Sequence, residues 1–201
     1  RIYVEKKPEF AVEAQSVLND LQTALRLSVT GVRILNRYDA DHLTEEAFQK
    51  AIPTVFSEPA VDVTYDTLPE CTGNQRMFAV EYLPGQFDQR ADSAVQCVQF
   101  LKAEEQPIIR TAVTYLITGD LTDEEFDKIK AYCINPVDSR ETGMEKPKTL
   151  VTEFAEPADV RILDGFTTLD ADGLKQLYDS LGLAMTLQDF KHIPVSYTHL
   201  T

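Results

Sequence analysis

The chain has few glycines, histidines and cysteines for its length, and it has no tryptophan. Its 201 residues include eight glycines, no two of them within five positions of each other, and three histidines. A phosphate-binding loop needs several glycines close together, so that backbone N–H groups can converge on the anion. The sequence therefore excludes a glycine-rich phosphate loop.

The three cysteines, Cys71, Cys97 and Cys133, lie far apart and form no CxxC pair. Neither a zinc knuckle nor a redox pair is therefore encoded, and we expect reduced thiols of structural character. A pair of His42 with Cys97 or Cys133 stays open, because such partners need only be adjacent in space. The acidic side chains are spread along the chain rather than clustered, which predicts no metal site.

Basic residues are also scarce. The chain has 33 acidic and 19 basic residues, a net charge of −14 and no run of Lys or Arg. A chain this acidic repels a phosphate backbone, so we expect no nucleic-acid partner. No stretch approaches the roughly 18 apolar residues of a membrane span, and no leader pattern opens the chain. We therefore expect a cytoplasmic protein without a membrane partner.

Two stretches of the chain resemble each other at a spacing of 76 to 78 residues. In both, a Val-Glu pair stands four residues before a proline, at Val4-Glu5 and at Val80-Glu81. Downstream, a Leu-Thr pair followed by two acidic residues occurs at 43–46 and again at 121–124. We interpret residues 1–66 and 77–143 as one kind of unit used twice, with a linker at 67–76 between the copies.

Each unit is predicted to contain strands and helices in the order β-α-β-α-β. Apolar residues at intervals of three and four predict helices, and alternation of apolar and polar residues predicts strands. Strands are expected near residues 2–6, 29–37, 61–65, 77–83 and 108–118, and long helices from about residue 10 and over 87–102. Thr44 and Thr122 are expected to cap the remaining helices, Thr122 through a capping box with Glu125.

Two local features modify this pattern. Asp39-Ala40-Asp41 predicts a turn, and Pro53 is expected to end or bend its helix near Ile52. Together the elements predict an α+β fold. We expect two tandem β-α-β-α-β units that form a pseudo-dimeric sheet with helices on one face, and we expect residues 1–143 to make one N-terminal domain. The sequence leaves open whether the copies pair edge to edge or face to face.

The character of the chain changes after residue 143. Residues 144–166 are expected to form an extended connector, with a brief extended piece at 160–163. The start of a helical linker domain is expected over 167–193, where Gly182 ends one helix and Thr186 caps the next. Pro194 is expected to stop that second helix, and we interpret residues 194–201 as a non-native tail.

The loop from Asn135 to Gly143 is the candidate functional segment. We expect Asp138, Ser139, Arg140 and Glu141 to dock this loop onto a neighbouring domain. The alternative is that the Arg140 guanidinium binds a carboxylate or a phosphate, because its planar group matches both anions.

Five stretches make the chain resemble one family. They are Ile2-Tyr3-Val4-Glu5-Lys6, Leu121-Thr122-Asp123-Glu124-Glu125, Asn135-Pro136-Val137-Asp138-Ser139-Arg140, Leu163-Asp164-Gly165-Phe166 and Leu181-Gly182-Leu183-Ala184-Met185. Over residues 1 to about 193, the sequence resembles the N-terminal part of the large, single-chain phosphoribosylformylglycinamidine synthases of purine biosynthesis. The resemblance implies a fused pair of small-subunit-like units followed by a helical linker domain, which agrees with the internal repeat.

The resemblance also implies a function for the whole enzyme. Enzymes of this family use ATP, Mg²⁺ and glutamine to convert a formylglycinamide ribonucleotide into its amidine. Their synthetase and glutaminase domains, which carry the catalytic, nucleotide and glutamine sites, follow the linker domain. None of those residues can be placed on this chain, so we expect no catalytic, cofactor-binding or metal residue in it. Its expected partners are the downstream synthetase and glutaminase domains.

Three hypotheses for the function follow. The leading one is an N-terminal fragment that acts as a scaffold and docking module without catalysis. The alternative is a stand-alone regulatory module that holds a small amino acid or nucleotide at the interface between the paired sheets. The third is a cysteine-dependent enzyme, which would need Cys97 or Cys133 to react quickly with a thiol reagent in the folded state.

Overall fold

The computed structural model describes residues 1–151, 157–160 and 162–198 of a chain that forms two compact units, Arg1–Thr152 and Glu153–Thr201. The strands of the first unit are β1 Ile2–Lys6, β2 Val29–Asp41, β3 Asp62–Tyr65, β4 Gln75–Tyr82, β5 Ile108–Gly119 and β6 Ser139–Thr142. Its helices are α1 Val12–Thr23, α2 Glu45–Ala51, α3 Gln89–Leu101 and α4 Asp123–Cys133. The second unit contains α5 Ala171–Leu181 and α6 Leu187–Thr198. The predicted α+β class is confirmed.

One six-stranded antiparallel sheet runs through the first unit in the order β3-β1-β2-β5-β4-β6. The two long central strands, β2 and β5, pair from Val29 opposite Gly119 to Asp41 opposite Ile108. The other strands of the first half lie on one side of this pair, and those of the second half lie on the other. The two halves therefore meet edge to edge, a choice that the sequence left open. The sequence duplication itself stays a prediction.

All four helices of the first unit lie on one face of this sheet. Val4 lies opposite Asn36, and Val80 lies opposite Val113. Asn36 and Val113 are themselves opposite each other, so all four side chains share a face. Val4 belongs to a hydrophobic cluster with α2 and α3, and Val80 belongs to one with α1 and α4. The predicted placement of the helices is confirmed.

Each hydrophobic cluster combines side chains from both halves of the first unit. One cluster joins Ile2, Val4, Tyr38, Ala51 and Phe56 to Ala91, Ala94, Val98 and Ile109. The other joins Leu21, Leu27 and Val29 to Phe78, Val80, Ile117, Phe126 and Ile129. Helix α1 comes from the first half in sequence, yet it packs with α4 of the second half. Each half thus completes its core with side chains of the other.

A helix cap also joins the two halves. The Thr44 hydroxyl accepts a hydrogen bond from the backbone N–H of Ala47 at 3.4 Å, which is the cap predicted for α2. The same hydroxyl donates to the Glu105 carboxylate of the second half at 2.6 Å. This hydrogen bond is the main reason that the pKa of Glu105 is lowered. One polar side chain therefore both starts α2 and ties it to the loop after α3.

Other helix ends follow their local sequence signals. The α-helical part of α2 stops at Ala51 and a π-helical turn runs over Ile52–Phe56, because Pro53 has no N–H to continue the pattern. The capping box of Thr122 and Glu125 forms at the start of α4 as predicted.

Two local predictions for the first unit are wrong because contacts distant in sequence override them. Asp39-Ala40-Asp41 is the end of β2 rather than a turn, and there the Asp39 carboxylate pairs with Arg1 and Arg37. Residues 139–142 form the edge strand β6 rather than a loop, because they pair with β4. Both segments are polar, so their own pattern gives no sign of a strand.

The connector predicted over 144–166 is divided between the two units. Its first part folds onto the sheet, since the backbone N–H of Leu150 donates to the Asp41 carboxylate at 3.2 Å. The first unit therefore extends nine residues beyond the predicted boundary at 143. Parts of the predicted connector and tail fall on residues 152–156, Arg161 and 199–201, which lie outside the described residues.

The second unit contains the two helices predicted for the linker domain. Gly182 ends α5 in the left-handed conformation with φ 58°, as predicted. Thr186 caps α6, accepting from the backbone N–H of Asp189 at 3.1 Å. The prediction that Pro194 stops this helix is wrong, because α6 continues to Thr198. A proline inside a helix removes one backbone hydrogen bond, while the flanking turns keep theirs.

Leu21→Ala is expected to lower the free energy of unfolding by about 3 kcal/mol, because it leaves a cavity where α1 meets the second half. Leu21 is 0% exposed, whereas Val12 in the same helix is 76% exposed. Val12→Ala is therefore the matched control, with an expected change below about 0.5 kcal/mol. Urea unfolding followed by circular dichroism measures both. Equally small effects would contradict a core shared between the halves.

Candidate functional site

The four predicted docking residues lie together at one edge of the sheet. Asp138 directly precedes β6, and Ser139, Arg140 and Glu141 are its first three residues. β6 ends the strand order, so within this sheet one of its edges has no neighbouring strand. Such an edge offers backbone N–H and C=O groups to a partner. We call residues 138–142 the docking edge.

Charged side chains of the docking edge make ion pairs within the first unit. The Arg140 Nε and one Nη donate to the same Glu81 oxygen at 2.9 and 2.8 Å. Glu141 pairs with Lys130 of α4 at 2.8 Å. Arg140 already has a carboxylate partner in its own sheet, and its side chain is still 52% exposed. The docking of this segment onto another domain stays a prediction.

The other two docking residues shape the turn that enters β6. The Ser139 hydroxyl donates to the Asn135 carbonyl at 2.9 Å, and the Asn135 amide donates to one Asp138 oxygen at 3.0 Å. The backbone N–H of Leu83 donates to the Asp138 carbonyl at 2.8 Å. These contacts fix the turn against the end of β4. The position of the docking edge is therefore set by contacts within the first unit.

The sheet face opposite the helices carries charged pairs. Arg33 donates to both Glu5 oxygens, at 2.7 and 2.6 Å. Arg37 and Asp39 are each 5% exposed, and the Arg37 guanidinium donates to the Gly143 carbonyl at 2.8 Å. Burial lowers the pKa of Arg37, and the nearby Asp39 carboxylate opposes this effect. This network holds the segment after β6 across the end of β2.

The structure does not join the cysteines and histidines into a reactive pair in the part of the chain that it describes. His42 has a left-handed backbone with φ 54°, and its N–H donates to the Asp41 carboxylate at 2.9 Å. Cys71 and Cys97 are exposed, and Cys133 is partly buried. Among residues 1–151, 157–160 and 162–198, no group of three or more His, Cys, Asp or Glu side chains could hold a metal ion.

A cleft of about 550 Å³ opens between α3, β4, β5 and the segment that leads from α4 into β6. Gln89, Arg90 and Ser93 of α3 line one side of it, and Tyr115 and Cys133 line it as well. Burial raises the pKa of the Cys133 thiol to about 11 and also raises the pKa of the Tyr115 hydroxyl. Both groups are therefore neutral hydrogen-bond donors at pH 7.

Sequence reasoning missed this cleft as a site. Its lining comes from several elements spread between residues 80 and 139, and no short motif contains it. The spacing of Arg90 and Ser93 places them near each other along α3, but the same spacing is common on solvated helix faces. The sequence signal is therefore too weak to single out these residues.

Comparison with known proteins gives no assignment. No family model matches the chain, and no curated protein matches it significantly. Across the residues that the structure describes, every helix is too short or too polar to cross a membrane.

Cys133 is expected to react with iodoacetamide at pH 8 at least about tenfold more slowly than the exposed Cys97, because Cys133 is partly buried and burial raises the pKa of its thiol. Peptide-resolved mass spectrometry of the folded protein over time measures both rates. Labelling in urea is the control, and there the two rates should converge. Fast labelling of Cys133 in the folded state would contradict this prediction and favour the hypothesis of a cysteine-dependent enzyme.

Proposed function

We propose that the chain is the N-terminal part of an enzyme of the phosphoribosylformylglycinamidine synthase family and serves as its scaffold and docking module. It carries no catalytic residue in this proposal. The sites for ATP, Mg²⁺ and glutamine belong to the synthetase and glutaminase domains, which are the partners of this module. The whole enzyme acts in the cytoplasm, and the module couples the glutaminase to the synthetase domain.

The proposal rests on the symmetric order of the strands in the sheet. The first half contributes β3, β1 and β2, and the second half contributes β6, β4 and β5 in the same sequence from edge to centre. Each half also runs strand, helix, strand, helix, strand. A fused pair of similar subunits would have this order, which is what the resemblance implies. The two helices α5 and α6 that follow support the linker domain that the resemblance also implies.

The surroundings of the docking edge support a role in binding other domains. Tyr82, Phe87 and Val137 are large apolar side chains that are exposed. They belong to the end of β4 and the two loops that the Leu83–Asp138 backbone hydrogen bond holds together. Exposed apolar side chains grouped beside polar ones are typical of interaction surfaces. A free strand edge adds backbone groups that a partner can pair with.

The test is reconstitution from separate pieces. A synthase of this family lacking its N-terminal segment is mixed with the purified chain, and amidine formation is measured with glutamine and with ammonia. The chain should restore most of the glutamine-dependent rate, because its proposed role is to couple the two catalytic domains. Alone, it should show no ATPase or glutaminase turnover. Turnover by the pure chain, or no rescue by it, would contradict the proposal.

Arg140→Ala is expected to weaken this rescue while changing the free energy of unfolding by less than about 1 kcal/mol, because exposed ion pairs contribute little to stability. Lys128→Ala is the control, since Lys128 is an exposed cation of α4 outside the docking edge. Rescue titrations with each variant measure the effect. If Arg140→Ala rescues as well as the original chain, Arg140 serves only the sheet and has no docking role.

The cleft favours a second function, the small-molecule module. The sequence-based alternative put such a ligand between the paired sheets. The cleft instead lies within the second half, between α3 and the strands β4 and β5. Its volume of about 550 Å³ falls in the range of small-molecule sites. Asp138 and Ser139 of the docking edge also line this cleft, so a ligand there would lie beside the docking edge.

A further inference from the structure

The cleft beside α3 has a cation without a partner at its rim. Arg90 lines the cleft, and no residue in the described part of the chain forms a hydrogen bond or an ion pair with it. The guanidinium of Arg140, by contrast, is already ion-paired with Glu81 and is not free to bind a ligand in the cleft. Arg90 is exposed and also lines a second cavity, beside residues 53–59. An exposed guanidinium can bind a carboxylate with two parallel hydrogen bonds.

A carboxylate lines the same cleft. One oxygen of Asp138 accepts from the Asn135 amide at 3.0 Å. The other oxygen accepts no hydrogen bond from any residue that the structure describes. Asp138 therefore offers an acceptor to a donor group entering the cleft. Because the backbone carbonyl of Asp138 is held by Leu83, the position of this residue is fixed before any ligand binds.

Three further lining residues, Val80, Val113 and Tyr115, are apolar or carry a neutral donor. Val80 and Val113 supply apolar surface. The Tyr115 ring stacks on Phe78 with centroids 5.1 Å apart, which fixes the ring. The Tyr115 hydroxyl has no described hydrogen-bond partner, and it is not among the polar atoms sealed away from solvent. It is therefore available to a ligand in the cleft, as a donor.

These charges select among classes of ligand. A phosphate or other dianion would meet one unpaired cation, Arg90, beside the carboxylate of Asp138, because the Glu81 carboxylate in the same cleft is already paired with Arg140. Repulsion from the Asp138 carboxylate disfavours the dianion. A molecule with one negative and one positive group satisfies both Arg90 and Asp138. An apolar or weakly polar remainder fits the surface of Val80, Val113 and Tyr115.

We propose that this cleft binds a zwitterionic α-amino acid with a neutral side chain. The Arg90 guanidinium holds the ligand carboxylate, and the free Asp138 oxygen accepts from the ligand ammonium group. The side chain lies against Val80 and Val113, within reach of the Tyr115 hydroxyl. This site does not depend on the enzyme family, since it holds equally for a scaffold module and for a stand-alone protein.

The test is calorimetric titration of the whole chain with each of the common amino acids at millimolar concentrations. At least one with a neutral side chain should bind. Its analogue without the amino group and its analogue without the carboxylate should each bind at least about fivefold weaker, because each loses one charge-assisted contact. No binding by any amino acid overturns the proposal. Equally tight binding of either analogue overturns the zwitterion as the ligand class.

Variants locate the site. Arg90→Gln and Asp138→Asn should each weaken binding at least about fivefold, since each removes the charge and keeps a polar side chain. Lys128→Gln, a matched loss of an exposed cation outside the cleft, should bind like the original chain. Thermal melting checks that each variant is folded. Unchanged affinity in Arg90→Gln, or an equal loss in Lys128→Gln, overturns this assignment whatever the outcome of the reconstitution.

Discussion

The pairing of β2 with β5 is the constraint on which the rest of the structure depends. The two strands pair over nearly their whole length, and they are the seam at which the halves meet. Because of this pairing, the apolar faces of the two halves form one continuous surface, and all four helices pack on it. It also lets α1 cross the seam and complete the core of the second half. Since burial of apolar area is the main stabilising term, the two halves are stable together.

The two faces of the sheet therefore carry different kinds of side chain. The helix face holds the hydrophobic clusters and the cleft. The opposite face carries arginine–carboxylate pairs, of which Arg37 and Asp39 are buried. Buried charges are costly unless they are paired, so this network constrains the neighbouring chain more than it stabilises the fold. The segment after residue 143 lies across it and is thereby held to the first unit.

A scaffold and a ligand site are compatible in this architecture. The docking edge lies at the rim of the sheet, where a strand edge and exposed apolar side chains face outward. The proposed ligand site lies on the helix side, yet it shares Asp138 with the docking edge. A ligand on Asp138 would therefore touch the same turn that leads into β6.

The sequence by itself determined the class of fold, the long strands and helices, and the helix ends at Thr44, Thr122 and Gly182. These features depend on hydrogen bonds and backbone preferences that act within three or four residues. Only the tertiary structure decided that Asp39 continues a strand, that residues 139–142 form an edge strand, that the cores are shared and that Arg90 faces a cleft with Asp138. Each of these depends on a partner many residues away, and such pairings leave no local pattern from which they can be predicted.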